Sequence, residues 1–268
     1  MGSAIVGLAD DSSSMLSNAA GLGLLERSEL ALHHNSWLVD TLQETAVIGI
    51  PLHPGVGLGF SFNYLDYGTM ESRDSIGVNI GSYTAKSMGL GAALGFTMTK
   101  GFLGGVAVRA SQRSLADNNY NSLVADLGAL YSFSNGFRLG TSFTNLGAGP
   151  AGTNLASSFR AGASWNLDLG SQNHIILASD VSLGSNNTHS VRAGGEWSLL
   201  SAVALRGGYN FNLDNNALEG LNSLSAGVGF FMQDFLFDYT YLPFGDLGSS
   251  QRISATYRFG SPIAGPKP

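Results

Sequence analysis

The chain has 268 residues, a formal charge of −6, no cysteine and only 12% charged residues, about half the share usual in soluble globular proteins. These figures exclude disulfide scaffolds, cysteine-ligated metal and thiol nucleophiles, and with Lys and Arg nowhere clustered they exclude a nucleic-acid surface. Glycine contributes 37 residues, roughly twice the average usage, spread along the chain as wall packing would need rather than gathered in linkers.

Residues 1–27 do not alternate with a period of two and read as helix and turn. Met1 to Gly7 carries neither a basic n-region nor a usable apolar h-region, so no secretory signal is read there, and a mature or re-engineered form is expected. Asp10, Asp11 and the serines that follow are N-cap types, and Gly21 with Gly23 would stop the helix they begin. We expect this segment to fill the mouth of a barrel, with Asp10, Asp11, Asn18, Gly21 and Leu22 as its candidate contacts.

From Ser28 onward the chain divides into about fourteen alternating runs, with twelve and sixteen as the alternatives the pattern also allows. They are expected near Ser28–Leu38, Gln43–Pro51, Gly55–Tyr67, Lys86–Thr99, Phe102–Gln112, Asn121–Phe133, Phe137–Asn145, Ala156–Asp168, Asn173–Leu183, Thr188–Ser198, Ala202–Asn212, Leu221–Met232, Asp234–Leu242 and Gln251–Phe259. Joins after even-numbered runs are tight, as at His53-Pro54, Lys100-Gly101, Asn135-Gly136, Gly170-Ser171, Leu200-Ser201 and Gln233. Several joins after odd-numbered runs are longer, at Gly68–Ala85, Arg113–Tyr120, Leu146–Leu155, Leu213–Gly220 and Pro243–Ser250. Inside the first of these, Ile76–Ile80 alternates and would extend a strand or form a loop hairpin.

No apolar run approaches the 18 or so residues of a spanning helix, so a membrane protein with this sequence must be a closed barrel. The even strand count, the parity of the joins and termini on the short-turn side predict an all-β fold, a transmembrane up-and-down antiparallel β-barrel over residues 28–259. The pattern is clearest in the last runs. Phe235, Phe237, Tyr239 and Tyr241 share one face, and Ile253, Ala255, Tyr257 and Phe259 another, with Asp238, Arg252 and Arg258 opposite them.

Taken literally, the alternation turns Arg109, Arg138, Arg160, Arg192, Arg206, Arg252 and Arg258 inward, along with Asp126, Asp168, Asp180, Glu196 and Asp238. Opposite signs at similar heights predict ion pairs that tie the wall together or anchor the plug, because an unpaired charge in a narrow lumen is costly. The terminal Tyr257-Arg258-Phe259 resembles the signal that barrel-assembly machinery reads, and residues 260–268 read as a periplasmic tail.

Enzymatic signals are weak. Gly89 to Gly95 has the wrong spacing for a nucleotide loop and lies within an alternating run. The five histidines show no metal-ligand spacing, and no triad is picked out, so we expect a non-enzyme with no metal and no cofactor. Asn186-Asn187-Thr188 fits a glycosylation sequon and reads as a turn.

Several motifs add a resemblance. Leu8-Ala9-Asp10-Asp11-Ser12, Asn18-Ala19-Ala20-Gly21-Leu22, Leu25 to Leu30 and His34 to Leu38 resemble the start of the PorV/PorQ family of FadL-like outer-membrane proteins. So do Tyr64 to Gly68, Ser142 to Gly147 and Pro243 to Gly248 followed by Arg252-Ile253-Ser254. The chain departs from that family at Ala19, where proline is usual, and in its tail. The resemblance implies an outer-membrane barrel of fourteen strands whose N-terminal segment is a hatch. It implies one of two roles, and by motif the chain is closer to the first of them. A PorV-like member is a type IX secretion shuttle that holds exported cargo proteins and meets secretion-system components; a FadL-like member carries long-chain fatty acids or other hydrophobic small molecules through a lateral opening. Outer-membrane lipid is a partner in both.

Overall fold

The computed structural model describes residues 1–149, 155–170, 172–186, 188–213 and 223–263. Fourteen strands run up and down: β1 (Ser28–Ser36), β2 (Leu42–His53), β3 (Val56–Arg73), β4 (Asn79–Thr99), β5 (Phe102–Leu115), β6 (Asn118–Ser132), β7 (Phe137–Ala148), β8 (Ser158–Asp168), β9 (His174–Gly184), β10 (His189–Leu199), β11 (Val203–Asn212), β12 (Ser223–Met232), β13 (Phe235–Pro243) and β14 (Ser249–Phe259). Each pairs antiparallel with its sequence neighbours, and β1 pairs with β14 from Ser28↔Phe259 to Ser36↔Gln251, so the sheet closes without an edge. Closure is what a strand-built membrane protein requires, since an open edge in hydrocarbon would leave backbone groups unpaired.

Alternation sets the two faces. Leu90, Leu224, Phe230, Phe237 and Ile253 point outward and are largely exposed, while Ala31, Val47, Ala107 and Ala204 point inward and are buried. Outward aromatics collect at the rim that carries the termini, where Phe235, Tyr257 and Phe259 stack and Phe102, Tyr131, Phe133 and Phe137 touch in sequence. An apolar belt edged by aromatic rings is the surface a bilayer solvates. Among the described residues no helix is long and apolar enough to cross a membrane.

The wall has unequal height. Strands β8 to β13 have 9 to 11 residues, enough to cross with a tilt, but β3 and β4 have 18 and 21. Here the strand bounds are corrected outward, and of the two readings of Gly68–Ala85 the structure takes the one in which strands extend into a hairpin. Gly68–Ala85 is a hairpin extension with its turn at residues 74–78, and most of Arg113–Tyr120 is strand, turning at Ala116 and Asp117. The bulge at Tyr67 and Gly68, where the β3–β4 register slips, re-aims this ribbon above the barrel.

The N-terminal segment also differs from expectation. It forms two short 3-10 turns, Ser12–Leu16 and Ala19–Leu24, rather than one helix, and Gly21 and Gly23 lie inside the second turn instead of stopping the first. Wall contacts decide this: the chain must follow the curved inner surface, which a straight helix cannot. The joins at Ser171 and Asn187, the loop positions 150–154 and 214–220, the start of the twelfth run at Leu221, and tail residues 264–268 lie outside the described residues.

Candidate functional site

The site is the lumen, and its floor is the chain's own beginning. Residues 1–27 lie within the ring, seated on glycines that face inward from successive strands. A Cβ on Gly194 would meet the Met1 carbonyl at 2.5 Å, and one on Gly95 would meet the Ala19 carbonyl at 2.5 Å; Gly140, Gly105 and Gly57 touch the backbone at Val6, Ala20 and Leu22. The contacts of Ala19 to Leu24 fall in the half of each strand nearer Ser28 and Phe259, whereas Met1 and Gly2 reach Gly208 of β11 and Ser225 of β12 in the opposite half, so the plug climbs the wall from its end to its start.

Polar groups fix it further. Asp180, whose side chain is fully buried, accepts the amides of Ile5 (2.8 Å) and Val6 (3.0 Å) and pairs with Arg160 (3.1 Å), which also donates to the Ser3 carbonyl. Asn18 donates to the carbonyls of Val6 and Ala129, both at 3.0 Å, and caps the second turn through the Ala20 amide. Asp11 caps the first turn by accepting the Ser14 amide. Asp10 pairs with Arg138 at 2.8 Å. Leu22 is fully buried in a cluster with Met15, Ala19 and Val47, and Gly21 backs onto Ala9 so closely that a Cβ would meet the Ala9 carbonyl at 2.6 Å.

The inward charges form three further groups. Arg109 grips Asp126 through two bonds of 2.8 and 3.0 Å. Arg206 bridges Glu196 and Asp238. Arg258 pairs with Glu29 at 2.9 Å. Arg192 faces Asp180 across the β9–β10 ladder, and Arg252 lies under the Trp37 ring, 5.5 Å from its centroid. One residue departs from the expected lumen set. Asp168 is exposed at the lower rim and accepts the Gly170 amide, because β8 ends there and its carboxylate serves the turn. Tyr257 and Phe259 face outward in the aromatic stack.

Above the plug lies a cavity of about 780 Å³ against the tall wall of β3 to β7. Leu16 forms its floor; Leu65, Leu115, Val124 and Leu155 give it apolar surface, and Ser61, Ser111, Ser122 and Arg113 give it polar surface. Arg113 makes no ion pair among the described residues. A second cavity of about 510 Å³ opens below, lined by Asp10, Leu24, Leu25 and Arg138.

A β-bulge shapes the upper cavity. Thr144 and Asn145 on β7 oppose Asp126 alone, and Asn145 takes a left-handed conformation (φ 60°). Its amide donates to Asp126 at 2.7 Å, its side-chain oxygen accepts from Arg109 at 2.8 Å, and its Nδ2 donates to the Ala156 carbonyl. Just past it the β7–β8 ladder ends at Thr144↔Ser158.

Sequence reasoning missed Glu29, Asn145, Arg113 and the contact of Ser13 with His33 (3.0 Å). Glu29 shares the inward parity of Ala31 and could have been found by the rule that found Asp180. Asn145 could not, because a bulge breaks the count that identifies inward residues.

A sealed fourteen-stranded barrel with a lipid-facing belt, stoppered by its own N-terminal segment, defines the plugged transmembrane β-barrels. The chain belongs to UPF0164, described as an uncharacterised protein family, whose model matches residues 1–175. No curated protein matches the sequence. Among solved structures it is similar to the CymD monoaromatic hydrocarbon channel, with TM-score 0.68, 12% identity, and 95% of this chain and 94% of that one covered. It is similar to the Pseudomonas putida toluene transporter TodX, with TM-score 0.66, 11% identity and 95% of both chains covered. A Pseudomonas aeruginosa FadL homologue gives TM-score 0.61 and 13% identity over 97% of this chain and 96% of that one. At these identities the likeness is one of fold. The PorV/PorQ resemblance rests on the sequence motifs alone.

Proposed function

We propose that this chain is an outer-membrane transporter of hydrophobic or amphipathic small molecules, with residues 1–27 as its hatch. The carrying observation is the cavity of about 780 Å³ seated directly on the plug within a sealed wall. Such a pocket, apolar with a few convergent polar groups, suits a small ligand. The neighbours described as a hydrocarbon channel and a toluene transporter share the fold and support the same reading. The shuttle role has the tall β3–β4 ribbon as exposed surface, whereas the cavity on the plug favours a small ligand.

Arg113 separates two ligand classes: a long-chain fatty acid would set its carboxylate on this unpaired guanidinium, whereas toluene would not use it. The test is equilibrium binding of oleate and toluene to detergent-solubilised protein. Oleate affinity is expected to fall roughly tenfold in Arg113→Ala, a loss of about 1.4 kcal/mol, with toluene unchanged. Absence of saturable binding by both probes, together with capture of an exported protein's C-terminal domain, would overturn the transport reading in favour of the shuttle.

A further inference from the structure

Two glycines of β4, Gly91 and Gly89, face inward one above the other and differ in what covers them. Over Gly91 lean Ser61 Oγ and Arg109 Cγ, 2.5 and 3.1 Å from where a Cβ would stand. Over Gly89 nothing leans: the atoms nearest its Cβ position are the Ala110 carbonyl oxygen at 3.6 Å and the Cβ atoms of Ser111 and Asn63 at 3.7 and 3.9 Å. Asn63 of β3 and Ser111 of β5 pair directly across from Gly89, so the depression is bordered on both sides, with Ser87 above it and Ser61 below. All of these residues line the cavity above the plug, and none of them carries a charge. Ser111 shares a hydrogen bond of 2.7 Å with Ser122, but the side chains of Ser61, Asn63 and Ser87 make none among the described residues. Ser61 is only 9% exposed. Sheltered polar groups are paired as a rule, so an unpaired set turned toward a cavity marks where a ligand's polar group completes it.

We propose that the depression over Gly89 is a head-group site for an uncharged amphipath with one alkyl chain and two or more hydroxyls, of the monoacylglycerol kind, distinct from the place of an acid on Arg113. This deepens the transport reading above and rests on it. Hydroxyl and carboxamide groups both donate and accept, so the partner that satisfies them best is another hydroxyl, whereas a carboxylate only accepts and an ammonium only donates. The charge of Arg109 at the lower edge is already met by Asp126, so nothing at the rim offsets a charged head. Rim groups on β3 and on β5 stand roughly 10 Å apart across β4, at a strand spacing of about 4.8 Å, and a single hydroxyl cannot serve both. The alkyl chain runs from the depression onto Leu16, Val124 and Leu155, apolar side chains of the same cavity. Arg113 lies two residues beyond Ser111 on β5, about 7 Å higher, so the neutral and the acidic head sit at different levels.

The test compares two probes that share one tail, monoolein and oleate, in equilibrium binding to the detergent-solubilised barrel. Gly89→Val fills the depression. Gly89 has no positive φ and open space at its Cβ position, and a β-branched side chain suits a strand, so this variant keeps the fold. Asn63→Leu is the second variant and removes hydrogen bonding at nearly the same volume. Monoolein affinity is expected to fall roughly tenfold or more in each variant, with oleate held within about twofold, and Arg113→Ala is expected to do the reverse. Retained oleate binding also shows that the cavity is intact. Monoolein affinity unchanged in both variants, or oleate affinity lost along with it, overturns the head-group site and leaves the transport reading standing. Absence of saturable monoolein binding where oleate or toluene binds has the same meaning. If none of the three binds, the transport reading fails and the site falls with it.

Discussion

Asp11 caps the first turn of the plug with its carboxylate on the Ser14 amide. Enclosure by the barrel wall, then the nearby charges of Asp10 and Glu29, push its carboxyl up from near 3.8 to about 7. The carboxyl still meets lumen water, which limits the size of the effect but leaves its direction. A carboxyl whose value is raised in the docked state favours docking when protonated. That contribution is fully present below about 3.8 and is lost as pH rises through about 7. Labelling of Leu16→Cys, divided at each pH by the rate of a free thiol, is therefore expected to quicken between about pH 6 and 8, with the normalised rise flattened in Asp11→Asn. An identical pH profile in both proteins would remove Asp11 from the account. Asp180 plays the opposite part at the same scale: it is buried and paired with Arg160 and two amides, and its removal would leave the Ile5 and Val6 amides and the Arg160 guanidinium without their carboxylate.

Among the elements, the inner wall glycines explain why so much glycine is spread through strands. Gly57, Gly95, Gly105, Gly140, Gly194 and Gly208 stand where a side chain would strike the hatch backbone, while Gly91, Gly162 and Gly229 make room for charged or polar side chains of the wall, so the composition reflects what the lumen holds. Gly105→Ala would press on the Ala20 amide and is expected to leave the barrel folded but loosen the hatch, seen as faster amide exchange in Ala19–Leu24 by tenfold or so, about 1.4 kcal/mol. Gly207 faces outward with nothing within 4 Å, so Gly207→Ala should change nothing measurable. Equal effects at the two positions would refute the cradle. Strand number and order were legible because period-two alternation survives in every run. The extension of β3 and β4 showed only as the alternation of Ile76–Ile80, and the bulge at Asn145 not at all, since a one-residue slip leaves no mark in hydrophobicity.

For the whole molecule, closure is the decisive feature, and its seam is fastened at both ends. At the lower rim Arg27 donates to Asp234 (2.5 Å) and to the carbonyls of Arg258 and Gly260. At the upper rim Trp37 meets Phe244 edge to face, 5.2 Å between centroids. Phe259 stacks on Tyr257 beside the lower clamp. Phe259→Asp is expected to cut membrane insertion severely, because a charge at the lipid-facing rim costs energy and breaks the stack. Removal of residues 261–268 keeps the Gly260 carbonyl and should leave insertion intact. Heat-dependent gel mobility of the folded barrel reads both, and normal insertion of Phe259→Asp would contradict the seam argument.

The sequence by itself determined that the protein is a closed barrel and that its first residues lack the period of the wall, because alternation records which of two solvents each side chain meets. Tertiary structure decided the rest: which charges meet, that the plug follows the wall as 3-10 turns, and that a cavity lies above it. Those depend on distances between strands far apart in the chain, and a one-dimensional period carries no such distance.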